Sequence, residues 1–217
     1  MFSLVECIET DDIPINWLNP ARILPIIIPK PINSFAGDQI NRNRQVRLKG
    51  LIEIDGSDDS VIPIPALVRQ LYADVGRPTR LTRAKSLMDH YGCHSVVLLK
   101  REDLLPTFSF KLNTAIAQAY CAYQEGIQHL VTETGAGQWG LAMAYACSYF
   151  DIRLRVYWAK ISQQQKQSRY EVLRLLGADV FSSPSETTIA GRKILAKNQN
   201  HYGTIGTGIS DAISFAR

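Results

Sequence analysis

Two short stretches carry residues able to do chemistry. The first, "PTFSFKLNTAIAQAY" from Pro106, places Lys111 directly after Phe108, Ser109 and Phe110, at the front of an alanine-rich helical run. Ser109 reads as the helix N-cap, which puts Lys111 in the first turn, where the helix dipole disfavours a cation. Either solvent offsets that, and Lys111 is an ordinary surface residue, or the amine is desolvated, uncharged and able to bind a carbonyl as an imine. The second stretch, "HLVTETGAGQWG", ends a β-branched run in Glu133 and follows it with Gly135, Gly137 and Gly140. These glycines match the G-x-G-x-x-G spacing of a dinucleotide turn, yet that fingerprint wants an acid about 20 residues on. The next strand ends instead in Trp158, Ala159 and Lys160, so a nucleotide-binding module stands on the glycines alone. What remains is an amide-rich turn leading into a helix N-terminus, suited to a carboxylate or phosphate. Glu133 beside such a turn suits proton transfer better than anion binding, and partial burial would raise its pKa toward neutrality. A lysine able to form an imine, an acid and an anion-binding turn together make the constellation of pyridoxal-phosphate chemistry.

The elements that must position these residues alternate. From about Ser95 the runs "SVVLLK", 111 to 125, "QHLVTE", 138 to 150, "RLRVYWA", 163 to 176, "ADVFSS" and 186 to 197 read βαβαβαβα. That pattern predicts a parallel sheet with helices on both faces and right-handed crossovers. Gly126 and Gly177 each follow a helical run and stop it. Upstream, five of the ten prolines fall in the first 31 residues, which resists helix interiors and central strands. Residues 1 to 62 therefore read as an extended N-terminal arm, whose Ile13, Trp17, Leu18 and Ile26 to Ile28 need a surface to cover, and residues 63 to 217 as the α/β domain.

Composition excludes several classes. A 46% hydrophobic, 20% charged chain of 217 residues supports a packed core. The net charge of +4, with basic residues scattered apart from "NRNRQVRLK", gives no nucleic-acid surface. No apolar run approaches the roughly 18 residues of a membrane span, and "MFSLVECIETDD" lacks the basic start of a signal peptide, so a cytoplasmic protein is expected. Four cysteines without a CxxC pair fit reduced thiols, and the one metal-like cluster, "HYGCH", is interrupted by Gly92 as a helix stop, so no metal is expected.

The joined lysine and "ETGAGQWG" motifs, with "GRPTRLTRAKSL", "GADVFSSPSETTIAGRKILA" and the arm's "IPINWLNP", resemble the tryptophan synthase β chain. Trp139, where the main branch has histidine, resembles the divergent branch with the longer arm. The resemblance implies the pyridoxal-phosphate type II architecture and β-replacement of the L-serine hydroxyl by indole to give L-tryptophan and water. It implies Lys111 as Schiff-base lysine and α-carbon proton shuttle, and Glu133 as the acid assisting hydroxyl loss and indole addition. Lys111, Asn113 and Gln138 would hold the cofactor, pyridoxal 5'-phosphate. Thr134, Gly135, Ala136, Gly137 and Gln138 would bind the substrate carboxylate.

Three departures matter. Phe108 stands where the family has glycine, which suits φ > 0 or close ligand approach, so its ring is expected to crowd the cofactor. Arg80 replaces a loop proline. The family's phosphate loop and the group facing the pyridine nitrogen come after the segment matched by this chain. "YGTIGTGIS" aligns upstream of that loop and is not expected to replace it. A complementary C-terminal half, a full-length β chain or a homo-oligomer is therefore the expected partner; the alternative is an inactive remnant or regulatory partner.

Overall fold

The computed structural model describes residues 13 to 26 and 46 to 217. Ile27 and Ile28 of the arm, and most of the basic run, lie outside them. Strand β1 (Asn16–Leu18) pairs antiparallel with β2 (Val61–Pro63), and the short helix α1 (Pro20–Ile23) and α2 (Lys49–Gly56) fall between them in sequence. Asn19 caps α1 by accepting from the Ala21 N–H at 3.1 Å, and its amide donates to the Ser57 and Asp59 carbonyls. Ile13 and Trp17 pack against the core, whereas Leu18 and Ile26 are 63% and 64% exposed, so only part of the expected apolar cover is used.

Helix α3 (Ala66–Asp74) buries Val68, Leu71 and Tyr72. It leads to β3 (Leu81–Arg83), α4 (Lys85–His90) and β4 (Leu98–Lys100). Here the alternation misleads. The run "SVVLLK" does not enter the parallel sheet; its strand pairs antiparallel with β3, Leu81 opposite Lys100. The upstream strand takes its hydrogen bonds, and a 3-10 turn at Glu102–Leu104 then redirects the chain.

The core is a three-stranded parallel sheet in the order β5 (His129–Thr134), β6 (Arg153–Ala159), β7 (Asp179–Ser183). Helix α5 (Lys111–Gln124) precedes β5, α6 (Gln138–Tyr149) joins β5 to β6, and α7 (Lys160–Gln165) with α8 (Gln167–Leu175) joins β6 to β7. The expected single helix from 163 is thus two, broken at Lys166 (φ −126°, ψ 53°). Helices α9 (Ile189–Lys197) and α10 (Ile205–Ala216) follow. Gly126 (φ 69°) and Gly177 (φ 81°) do end their helices in the left-handed conformation.

Strand alternation sorts the helices by face. Thr132, Thr134 and Val156 point to α6: the Trp139 indole donates to Thr132 Oγ1 at 2.8 Å, and Gly140 has room only for a hydrogen against Val156 and Thr134. Helix α8 packs on α6. Arg155, Tyr157 and Phe181 point the other way, where the Arg155 guanidinium lies between the rings of Phe181 (4.6 Å) and Phe215 of α10 (4.0 Å). Helix α9 packs on α10 through a buried network: Asp211, 0% exposed, accepts from Ser183 Oγ (2.6 Å), Ser185 N–H (3.0 Å) and Thr188 Oγ1. Parallel strands covered on both faces read as near-continuous apolar runs, as β6 does.

Candidate active site

The site lies at the carboxyl end of β5, where helices α5 and α6 begin side by side. Phe110 is already helical in backbone (φ −55°, ψ −17°), so Ser109 caps from one residue further back than expected, its Oγ accepting the Lys111 N–H at 3.3 Å. This leaves Lys111 as the first residue of α5 and Gln138 as the first of α6. The two meet: Lys111 Nζ donates to Gln138 Oε1 at 3.4 Å. An amide oxygen offers a lysine no counter-charge, so the half-buried amine is held by a neutral partner near two helix N-termini.

The turn between Thr134 and Gln138 is held from behind. The Trp158 indole donates to the Gly135 carbonyl at 2.9 Å, and Arg169 of α8 donates to the Ala136 carbonyl at 2.7 Å. Gly137 adopts φ 89°, and a Cβ there would come within 2.6 Å of the Trp158 ring. With both carbonyls turned inward, the backbone N–H groups of Ala136, Gly137, Gln138 and Trp139 have no acceptor among the described residues. Four such donors at a helix N-terminus are of the kind that suits an anion. The Thr134 side chain is not free to join them, because it is 1% exposed and its Oγ1 accepts the Gly140 N–H at 3.2 Å.

The remaining expected site residues are placed less centrally. Glu133 is half-buried on the opposite side of β5 from α6, beneath α10, where Gly208 leaves room for its Cβ and Cγ. It is not brought within hydrogen-bond distance of Lys111. Asn113 lies two residues along α5 from Lys111 and faces away from the turn: its amide donates to Glu102 Oε2 at 3.0 Å, while its Oδ1 is buried without a partner. Glu102 also accepts from Thr79 Oγ1 at 2.6 Å, tying the loop before Lys111 to the start of β3.

Phe108 has φ 54°, the left-handed conformation that glycine adopts without penalty and a bulky residue rarely takes. Phe108 is 73% exposed, and the aromatic beside Lys111 Nζ is Phe110, 5.6 Å away. Sequence reasoning missed Trp158 and Arg169. Trp158 occupies the slot that a dinucleotide fold would give to its acid, which was the available signal. Nothing in the sequence marks Arg169.

The family description "Pyridoxal-phosphate dependent enzyme" matches residues 72 to 213. The chain belongs to that family. It is 41% identical over 209 residues to the tryptophan synthase beta chain 2 of Methanothermobacter thermautotrophicus, covering 96% of this chain and 49% of that one. To the tryptophan synthase beta chain of Thermococcus gammatolerans it is 42% identical over 203 residues, covering 93% and 46%. The chain therefore spans about half the length of the curated relatives it matches. Among solved structures, a pyridoxal 5'-phosphate-dependent aspartate racemase aligns with TM-score 0.46 and 22% identity over 62% of this chain and 42% of that one. Among the described residues no helix is long and apolar enough to cross a membrane.

The residues present fit one end of the family's cofactor. The Lys111 amine suits the cofactor's aldehyde, and the free amides of the neighbouring turn suit a carboxylate. The phosphate end finds no equivalent in "YGTIGTGIS": the space a Cβ would need at Gly203 is filled by Ser183 and Lys160 backbone, and that at Gly208 by Glu133 and Tyr157. These glycines serve close packing, and Thr204 and Thr207 cap the helix they start.

Proposed function

We propose that this chain supplies the amine, the acid and the carboxylate-binding turn of a pyridoxal-phosphate β-replacement site that exchanges the hydroxyl of L-serine for indole, giving L-tryptophan and water. The observation that carries this reading is the meeting of Lys111 Nζ with Gln138 at the head of the amide-rich turn. Pyridoxal phosphate, when bound, supplies an aldehyde that an amine captures and an electron sink for the substrate α-carbon. Lys111 would hold it through its amine and Gln138 would orient that amine, with Asn113 as a more distant support. The free N–H groups of Ala136, Gly137 and Gln138, in the turn begun by Thr134 and Gly135, hold the substrate carboxylate and so fix which bond of the α-carbon faces Lys111. Lys111 Nζ takes the α-proton and returns it, Glu133 gives a proton to the departing serine oxygen, and the same carboxylate takes the proton lost by indole. Thr134 contributes its backbone rather than its hydroxyl.

The test is borohydride reduction of the purified chain with pyridoxal phosphate, alone and co-expressed with the remaining half of the Methanothermobacter relative. A stable mass addition on the Lys111 peptide, lost in Lys111→Ala, is expected, together with tryptophan formation from serine and indole that falls at least about a hundredfold in Glu133→Ala. No addition in either arm overturns the proposal.

A second reading, an inactive regulatory partner of a full-length β chain, is favoured by the strained Phe108 where glycine is suited. It predicts co-purification with such a chain and unchanged activity of the mixture in Lys111→Ala.

A further inference from the structure

Under the arm lies a cavity that the candidate active site does not use. Trp17 and α2 form one side of it, the end of α3 another, and the flank of α5 its floor. Its volume is about 500 Å³, within the range of small-molecule sites. The lining divides by chemistry. Trp17, Leu51, Ile54 and Ala117 give an apolar wall, and two arginines, Arg47 and Arg77, line the same space.

The two arginines are not equivalent. Arg47 is paired with Asp55, which also lines the cavity, so that pair cancels its own charge. Arg77 has no ion-pair partner among the described residues. Its guanidinium lies 4.3 Å over the ring of Tyr72. That ring is held, being 3% exposed with its hydroxyl donating to the Asn113 carbonyl at 2.9 Å. A guanidinium seated on a fixed aromatic face keeps its charge and presents a planar fork of donors that matches a carboxylate. One positive charge is therefore left over in the cavity and held in place. On the α5 flank the Thr114 hydroxyl accepts from the Gln118 amide at 3.3 Å and has no acceptor for its own proton among the described residues, which adds a neutral donor.

We infer that this cavity binds a small monocarboxylate with a flat apolar body, the carboxylate on the Arg77 fork and the body against Trp17, Leu51, Ile54 and Ala117. Charge selects the class. A cation would meet the unpaired arginine, and a dianion such as phosphate would find one free charge and apolar walls it cannot use. A neutral apolar molecule would displace water from the guanidinium and leave its donors unsatisfied. Helix α5 begins at Lys111, so the ligand rests on the helix that carries the amine, against residues three to seven positions beyond it and outside the turn that faces it.

The inference stands on the cavity and on Arg77, not on the cofactor reading, and its test omits pyridoxal phosphate. The purified, isotope-labelled chain is titrated with 2-naphthylacetate and with the neutral 2-naphthylacetamide, and amide shifts are followed by nuclear magnetic resonance. Saturable shifts are expected at Leu51, Ile54 and 113 to 118. The acid should bind at least about tenfold more tightly than the amide, and Arg77→Met should weaken it by at least about tenfold. If the carboxylate turn also takes the acid, shifts at 136 to 139 survive in Arg77→Met while those on α2 and α5 are lost, which supports the two sites separately. No saturable shift, shifts confined to 136 to 139, equal affinity for acid and amide, or undiminished binding by folded Arg77→Met overturns the inference. Should Arg77→Met not fold, the shift map and the ratio of acid to amide affinity on the unaltered chain decide by themselves.

Discussion

Replacing Gly137 by alanine sets two penalties on the turn at once, and a second glycine allows them to be separated. At φ 89° an L-residue costs about 1–2 kcal/mol relative to glycine. The added methyl would also lie 2.6 Å from Trp158 Cη2, well inside any real contact, and overpacking of this kind costs about 1–3 kcal/mol. The lower entropy of the unfolded alanine chain offsets about 0.4–1 kcal/mol. Gly137→Ala should therefore destabilise by about 2–4 kcal/mol, lowering Tm by about 5–12 °C in a domain of this size. Gly126 has φ 69° with nothing within 4 Å of its Cβ position, so Gly126→Ala carries the backbone term alone and should cost roughly 0.5–1 kcal/mol. Urea unfolding followed by far-ultraviolet circular dichroism gives both numbers, and tryptophan fluorescence reports whether Trp158 has moved. If Gly137→Ala proves no more destabilising than Gly126→Ala, the argument that Trp158 packs against the turn and shapes it is wrong.

Other perturbations test separate parts of the structure. Phe108→Gly should be more stable than Phe108→Ala by about 0.5–1 kcal/mol in thermal unfolding, since both remove the ring and only glycine relieves the left-handed backbone; equal stabilities would refute the strain. Asp211→Ala leaves the Ser185 N–H and the Ser183 and Thr188 hydroxyls without their acceptor in a buried site, and should cost about 3–5 kcal/mol in urea unfolding. Burial pushes the Cys147 thiol from 9.0 to about 12. A group whose folded pKa is raised stabilises fully below its unfolded value, so this contribution should be intact below pH 9 and disappear as pH rises toward 12, visible as a falling urea midpoint that is flatter in Cys147→Ala. A thiol-reactive disulfide should meanwhile label exposed Cys93 in the folded chain and leave Cys147 until unfolding.

Much of the layer that holds the candidate site was legible because local rules and tertiary packing agree there. Short β-branched runs became β5, β6 and β7, the glycines at 126 and 177 stopped their helices, and the lysine fell at the first residue of its helix. The sequence also flagged position 108 as one suited to glycine, and the backbone there is left-handed. The misreadings came where a long-range partner decided the outcome. "SVVLLK" has the character of any buried strand, and only the presence of Leu81–Arg83 beside it made it antiparallel. The placement of Asn113, by contrast, follows from helix geometry: at about 100° per residue it sits across the helix from Lys111, with its amide donating to Glu102.

By itself the sequence determined the chemistry-bearing residue types, their order along the chain, and the elements that hold them, because periodicity, capping and glycine stops act over a few residues. Tertiary structure alone decided that Lys111 meets Gln138, that Trp158 and Arg169 turn the loop carbonyls inward so that four amides face out, and that Glu133 lies beneath α10. Those relations join residues 23 to 75 positions apart, and only the packed sheet and its two helical layers bring such distant groups together.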